Sequence, residues 1–229
     1  SPAGAKEPVQ IRVAIARDCS NVSVSVSGRY DVVDAKSRVL LRQGRSLKAV
    51  KVSASPGGLL WKEQALKTGG ILIQAKRPAT IQVNKRSYRG DIAIFQDSFG
   101  QLLVVNILDL EAYIQGVLAH EICPKWPMDA IKAQAVAART YAVYQKEVMK
   151  KKDYDVTADT SSQMYGGLTA EKAKTNRAVR FTKGEVLFFE GKVFPAYFHA
   201  TCGGMTEDAS ELWKIRIRPL AGGRACAFC

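Results

Sequence analysis

The sequence predicts an α+β fold: a β-rich N-terminal portion, then a helical pair and a β-hairpin that together wall a cleft. Three observations predict it. Short runs with apolar residues at every second position fill residues 9–107, punctuated by Gly57-Gly58, Gly69-Gly70 and Phe99-Gly100. From Asp109 the apolar period changes from two residues to that of a helix. After Gly184, two β-branched and aromatic runs flank Glu190-Gly191, a hairpin turn signal.

Residues 1–8, with Pro2 and Pro8, read as a polar tether without the apolar stretch of a signal peptide. A cleaved signal would leave the same trace, so the tether does not settle export. Residues 9–229 read as one domain, β-rich over 9–107 and helical, hairpin and Cys-containing over 108–229. Val9, Ile11, Val13 and Ile15 alternate with polar residues, as do Val22, Val24 and Val26. Further strands are expected at 39–41, 49–53, 71–75, 81–84, 90–95 and 102–107, a spacing that suggests a barrel or sandwich-like layer.

Leu110, Tyr113, Ile114, Val117 and Leu118 lie on one helical face, with Asp109 at the N-cap and Pro124 beyond the end. Glu121 follows Val117 by four residues and Leu118 by three, so it falls on the buried side. A carboxylate there is either paired, Arg139 being a candidate partner, or has a raised pKa that lets it hold a proton near neutrality. Pro127 is expected at the first helical position of a second helix reaching about Lys150. Ile131, Ala135, Ala138 and Ala142 give that helix a stripe of mostly small side chains. Gln134 and Arg139 interrupt it with polar groups that are either solvated or in need of partners. Residues 153–167 read as a loop and 169–179 as a short helix capped near Thr169. The hairpin over 186–199 is expected to send Tyr197 and His199 to one face and Phe198 to the other. The tail from 205 reads as loop and stops in mid-pattern, so the natural chain is expected to continue past Cys229.

The net charge of +13 fits either a generally basic, solvated surface or an anionic polymer as partner. The basic residues are scattered and no nucleic-acid-binding signature is present, so nucleic acid is not the expected partner. No apolar run approaches the roughly 20 residues that span a bilayer. His120-Glu121 does not continue into the His-Glu-x-x-His zinc helix, because position 124 is proline. A reaction in which a substrate hydroxyl is the nucleophile needs only one carboxylate to donate and then accept a proton. Glu121 is the candidate. His199-x2-Cys202 and Cys226-x2-Cys229 have spacings that suit one tetrahedral zinc; a disulfide from Cys202 to a terminal cysteine, or free thiols, would use the same residues. Four protein ligands leave no open position, so such a zinc would be structural and outside the chemistry. Cys19 and Cys123 are left over as small buried hydrophobes.

Several motifs occur in one order: Tyr88-Arg-Gly90, Val105-Asn106, the run 110–117, Glu121, Pro127, the run 130–142, Asp159-Thr160, the run 163–166, Thr182-Lys-Gly184, Tyr197-Phe-His-Ala-Thr-Cys-Gly-Gly204, Thr206-Glu207 and Trp213. Together they resemble the SpoIID/LytB family of stage II sporulation D proteins and amidase enhancers. The resemblance implies a peptidoglycan-active protein of the bacterial cell envelope, periplasmic or otherwise extracytoplasmic. It implies a lytic transglycosylase that cleaves the MurNAc-GlcNAc bond of glycan strands stripped of stem peptides, leaving 1,6-anhydro ends in a catalytic cleft. Glu121 falls on the family's catalytic glutamate. Gln134, Arg139, Gln163, Tyr165, Tyr197 and His199 fall on motif positions with supporting or substrate-binding roles. The alternative from the same resemblance is a non-catalytic wall-binding enhancer of an N-acetylmuramoyl-L-alanine amidase. Two departures stand out. His120-Glu-Ile-Cys-Pro124 replaces the family's frequent Ser-Glu-Met-Pro. Cys202 replaces a frequent Ser or Thr, which strengthens the metal reading of His199, Cys202, Cys226 and Cys229.

Overall fold

The computed structural model describes residues 8–76, 78–199 and 201–227. Among these, the N-terminal portion forms twelve strands. They are β1 (Gln10–Cys19), β2 (Asn21–Ser27), β3 (Tyr30–Asp34), β4 (Leu40–Gly44), β5 (Leu47–Ser55) and β6 (Gly58–Trp61). Then come β7 (Gln64–Leu66), β8 (Gly70–Ala75), β9 (Thr80–Val83), β10 (Arg86–Tyr88), β11 (Asp91–Gln96) and β12 (Leu102–Asp109). One seven-stranded sheet runs β13-β1-β12-β11-β8-β3-β4, its edge strand β13 (Val156–Thr157) coming from the C-terminal half. A six-stranded sheet runs β10-β9-β2-β5-β6-β7.

Alternation explains how the two sheets share one core. Val22, Val24 and Val26 are buried, while Ser23 and Ser27 between and after them are exposed. Their buried side joins Ile11, Val13, Ile73, Ile92 and Val104 of the larger sheet in a single apolar cluster. Full burial of each such side chain contributes about 1.5–3 kcal/mol, so the sandwich holds as a sum of small terms. Every strand expected from alternation is found. Four others, β3, β6, β7 and β10, are too short or too close to glycines to carry a period of their own.

The helices extend the same core. α1 (Leu110–Glu121) leaves β12 directly, and Asp109 caps it by accepting from the Glu111 and Ala112 amides at 2.9 and 3.3 Å. α2 (Met128–Val148) lays Ile131, Ala135, Ala138 and Ala142, all fully buried, against it. Pro127 is the N-cap of α2 and not its first residue, one position from the expected boundary. α3 (Ala173–Phe181) packs on both α1 and α2.

Three expectations for the C-terminal half are corrected. Residues 153–167 are not all loop. Val156 and Thr157 pair in parallel with Val13 and Ala14, held by Asp155, which accepts from the Arg12 backbone and guanidinium at 2.6–3.1 Å. The helix placed at 169–179 is a 3-10 turn at Gly167–Ala170 followed by α3, with Lys172 as N-cap in place of Thr169. The hairpin is only β14 (Phe188–Phe189) and β15 (Lys192–Val193), turning through Glu190 and Gly191 at φ 50° and 75°. The strand does not reach 197–199, so strict alternation of those side chains does not apply. The tail is not all loop either: α4 (Ala209–Trp213) is capped by Asp208, which accepts from Ser210 N at 2.7 Å. Cys19 is half-buried and Cys123 exposed, so neither is the fully buried small hydrophobe expected.

Candidate active site

Glu121 is the last residue of α1, where the apolar stripe runs out, and it is half-buried. Its carboxylate lines a groove of about 340 Å³. The other walls come from three places: Tyr141 on α2, residues 160–164 on the loop after β13, and Tyr197, Phe198 and Trp213 from the C-terminal part. Among the described residues lining this groove, Glu121 is the one carboxylate.

The loop is held from both sides of Met164. Gln163 is buried, accepts from the Tyr113 hydroxyl at 3.1 Å and donates to Ala138 O at 3.5 Å. Tyr165 is also buried and donates to Asn106 Oδ1 at 2.8 Å. Asn106 in turn donates to Arg89 O and Asp91 O at 2.8 and 3.0 Å, so its side chain is satisfied on both ends. Gly116 and Gly166 allow the close approach: a Cβ on the first would run into the Tyr165 ring, and one on the second into His120 and Ala170. Between these two anchors the Met164 amide donates to Glu121 Oε1 at 3.2 Å.

Two opposing influences act on Glu121. Burial disfavours its charged form and raises its pKa above the ordinary glutamate value. The Met164 N–H and the neighbouring His120 pull the other way, and burial prevails. The group is thus biased toward holding a proton while keeping one donor ready to stabilise the anion.

The residues singled out from sequence separate into three groups. Glu121, Gln163 and Tyr197 line the groove. Tyr197 stacks on Trp213 with ring centroids 4.1 Å apart and planes at 19°, and touches Tyr141 at 6.1 Å. Tyr165 and Arg139 lie in the interior. Tyr165 packs on Tyr88 and Tyr113. Arg139 is fully buried and pairs with Glu111, not Glu121, at 2.9 and 2.7 Å, and donates to Ala135, Val179 and Glu185 carbonyls. Its donors are spent inside the helical layer, which leaves none to meet a ligand. Gln134 is partly buried, and its Nε2 has no hydrogen-bond partner among the described residues. It shares the α2 face of Ala138 and Tyr141, at four and seven residues' separation.

His199 lines a second, larger cavity of about 650 Å³ that meets the groove at Tyr197, Phe198 and Trp213. Cys202 also lines it, Cys226 is half-buried, and Cys229 lies outside the described residues. Among the described residues, no three His, Cys, Asp or Glu side chains surround a common point. Sequence reasoning missed Tyr141, Phe198 and Ser162 as groove residues. The spacing of Tyr141 from Gln134 was a usable signal, whereas the approach of Phe198 depends on a backbone with no regular period.

The SpoIID family model, described as stage II sporulation protein, matches residues 98–189. An uncharacterised protein of Brachyspira hyodysenteriae is 34% identical over 222 residues, 96% of this chain and 59% of that protein. The amidase enhancer of Bacillus subtilis is 36% identical over 104 residues, 45% of this chain and 14% of its own length. Stage II sporulation protein D of Bacillus amyloliquefaciens is 32% identical over 128 residues, 49% of this chain and 37% of its own. The chain thus spans between a seventh and three-fifths of the length of these relatives.

Proposed function

From a chain whose residues 98–189 belong to the SpoIID family, we propose a lytic transglycosylase of the bacterial envelope that acts on peptide-free peptidoglycan strands. The observation that carries it is the one carboxylate in an aromatic-walled groove, desolvated and hydrogen-bonded to a single backbone amide. Hydrolytic glycosidases use two carboxylates, one to handle the leaving oxygen and one to supply or activate the nucleophile. A groove with one suits a reaction whose nucleophile is carried by the substrate.

In this reading Glu121 donates its proton to the glycosidic oxygen as the C1–O bond breaks, and the leaving sugar departs as an alcohol. The carboxylate then takes the proton of the muramic C6 hydroxyl as that oxygen bonds to C1 and closes the 1,6-anhydro ring. The enzyme ends protonated as it began. The Met164 N–H supports the anion formed between the two steps. Tyr197 and Trp213 offer ring faces against which a pyranose can lie.

The decisive experiment digests purified, peptide-free glycan and identifies products by mass spectrometry. Anhydro ends are expected from the wild type. Glu121→Gln should lose about 10²–10⁴-fold in rate, the usual range for an acid–base group. Full activity in that variant would end the proposal.

A second reading follows from the relative named amidase enhancer. A wall-binding module that stimulates an amidase predicts strand binding without anhydro products, and stimulation that persists in Glu121→Gln.

A further inference from the structure

We propose that the C-terminal tail is closed by a structural zinc ion held by Cys202, Cys226, Cys229 and His199. The site is separate from the groove chemistry and lies outside the matched segment 98–189.

The case begins with backbone pairing across a long sequence gap. Met205 and Ala225 form an antiparallel bridge. Thr206 N donates to Arg224 O at 3.0 Å, Gly223 N to Thr206 O at 2.8 Å, and Cys226 N to Gly204 O at 2.9 Å. On the first limb of this ladder, Met205 N donates to Cys202 O at 3.2 Å, closing a turn through Gly203 and Gly204 at φ 61° and 96°. The two glycines permit this left-handed backbone, and the turn presents the Cys202 side chain at its start. The ladder therefore sets a cysteine-bearing turn beside the start of Cys226-x2-Cys229. Two short segments with so few apolar contacts of their own need a further link to stay registered, and a tetrathiolate-like zinc site supplies one.

His199 brings a second, independent observation. Its Nδ1 lies 2.9 Å from Thr201 O. A carbonyl only accepts, so Nδ1 carries the proton and Nε2 keeps its lone pair. Metal-bound histidines commonly have this arrangement, in which a carbonyl on one ring nitrogen fixes the tautomer and aims the other. His199 and Cys202 both line the 650 Å³ cavity, so ring and thiolate face the same space. Cys229 follows Cys226 by three residues, the spacing of a zinc-binding turn.

The consequence is positional. The clamp ties the segment after Tyr197 and Phe198 to the end of the tail, with Trp213 between them in sequence. It thus holds two of the groove's aromatic walls at a fixed separation. Four protein ligands leave no site for substrate, so the ion would stabilise without reacting.

The test measures metal in the chain purified under reducing conditions. One zinc per chain is expected. Replacement by cobalt should give the visible bands of a tetrahedral site and a thiolate charge-transfer band. Cys202→Ser and Cys226→Ser should each lose the metal. Should those variants fail to fold, a mercurial titration of the wild type gives the same answer, with zinc released in step with thiol modification. A wild type that holds no zinc and takes up no cobalt overturns the proposal. So does a disulfide between Cys202 and another cysteine, or a Cys226→Ser chain that keeps its metal. None of these readouts depends on glycan cleavage.

Discussion

At Glu121 two terms with opposite sign meet on one side chain. Burial raises its pKa, and the Met164 amide together with His120 lowers it. Because the net shift is upward, the acid form persists to a higher pH than for an ordinary glutamate. Activity that needs this acid should fall as pH rises through the raised pKa. The same shift acts on stability. A folded pKa above the unfolded one contributes stability that is full below the unfolded pKa and is lost as pH rises through the folded value. Glu121→Gln keeps an acceptor for Met164 N–H but carries no charge. Its melting temperature should match wild type in acid and exceed it at alkaline pH. Melting curves across that range give the check, and a gap that does not widen with pH would contradict burial as the dominant influence.

Among the elements, α1 and the loop after β13 act as one unit. Tyr165 links the loop to β12 through Asn106. In Tyr165→Phe the buried Asn106 oxygen loses its donor, at about 1–3 kcal/mol. The loop then slackens and Met164 N–H withdraws from Glu121. The alkaline limb of the pH–rate profile should move to higher pH, because the hydrogen bond that lowers the Glu121 pKa is weakened. Lost stability with an unmoved limb would make Tyr165 a packing residue only. The ion pair between α2 and α1 belongs to this scale too. Arg139→Met strands the partly buried Glu111 carboxylate, and a loss of about 3–5 kcal/mol is expected from denaturant unfolding. Exchanging both partners for apolar residues should recover much of it, since the two charges would then be removed together.

For the whole molecule, the net charge of +13 is the dominant long-range property. Peptide-free glycan strands carry carboxylates, so association with them should weaken by roughly tenfold or more as salt rises from low to high ionic strength. Co-sedimentation with strands across a salt series measures this, and binding indifferent to salt would remove charge from the account. Localisation to the envelope is part of the same proposal. No helix among the described residues is long and apolar enough to cross a membrane.

The sequence by itself determined the order of layers, the α1 cap at Asp109, the small-residue stripe of α2 and the position of Glu121 on the buried edge of its helix. These are local properties: a period of two or 3.6 residues, a capping side chain and a proline are legible within a few positions. It also singled out Gln163 and Tyr165, though not that their side chains point inward while the amide between them serves Glu121. Only the tertiary structure decided that Arg139 pairs with Glu111, that β13 completes the larger sheet, and that Tyr141, Tyr197, Phe198 and Trp213 meet around one carboxylate. Contacts between residues tens of positions apart depend on loop paths set by buried polar bonds such as Tyr165–Asn106 and Asp155–Arg12. Such bonds leave no periodic trace in the chain, because each satisfies a single group in a single place.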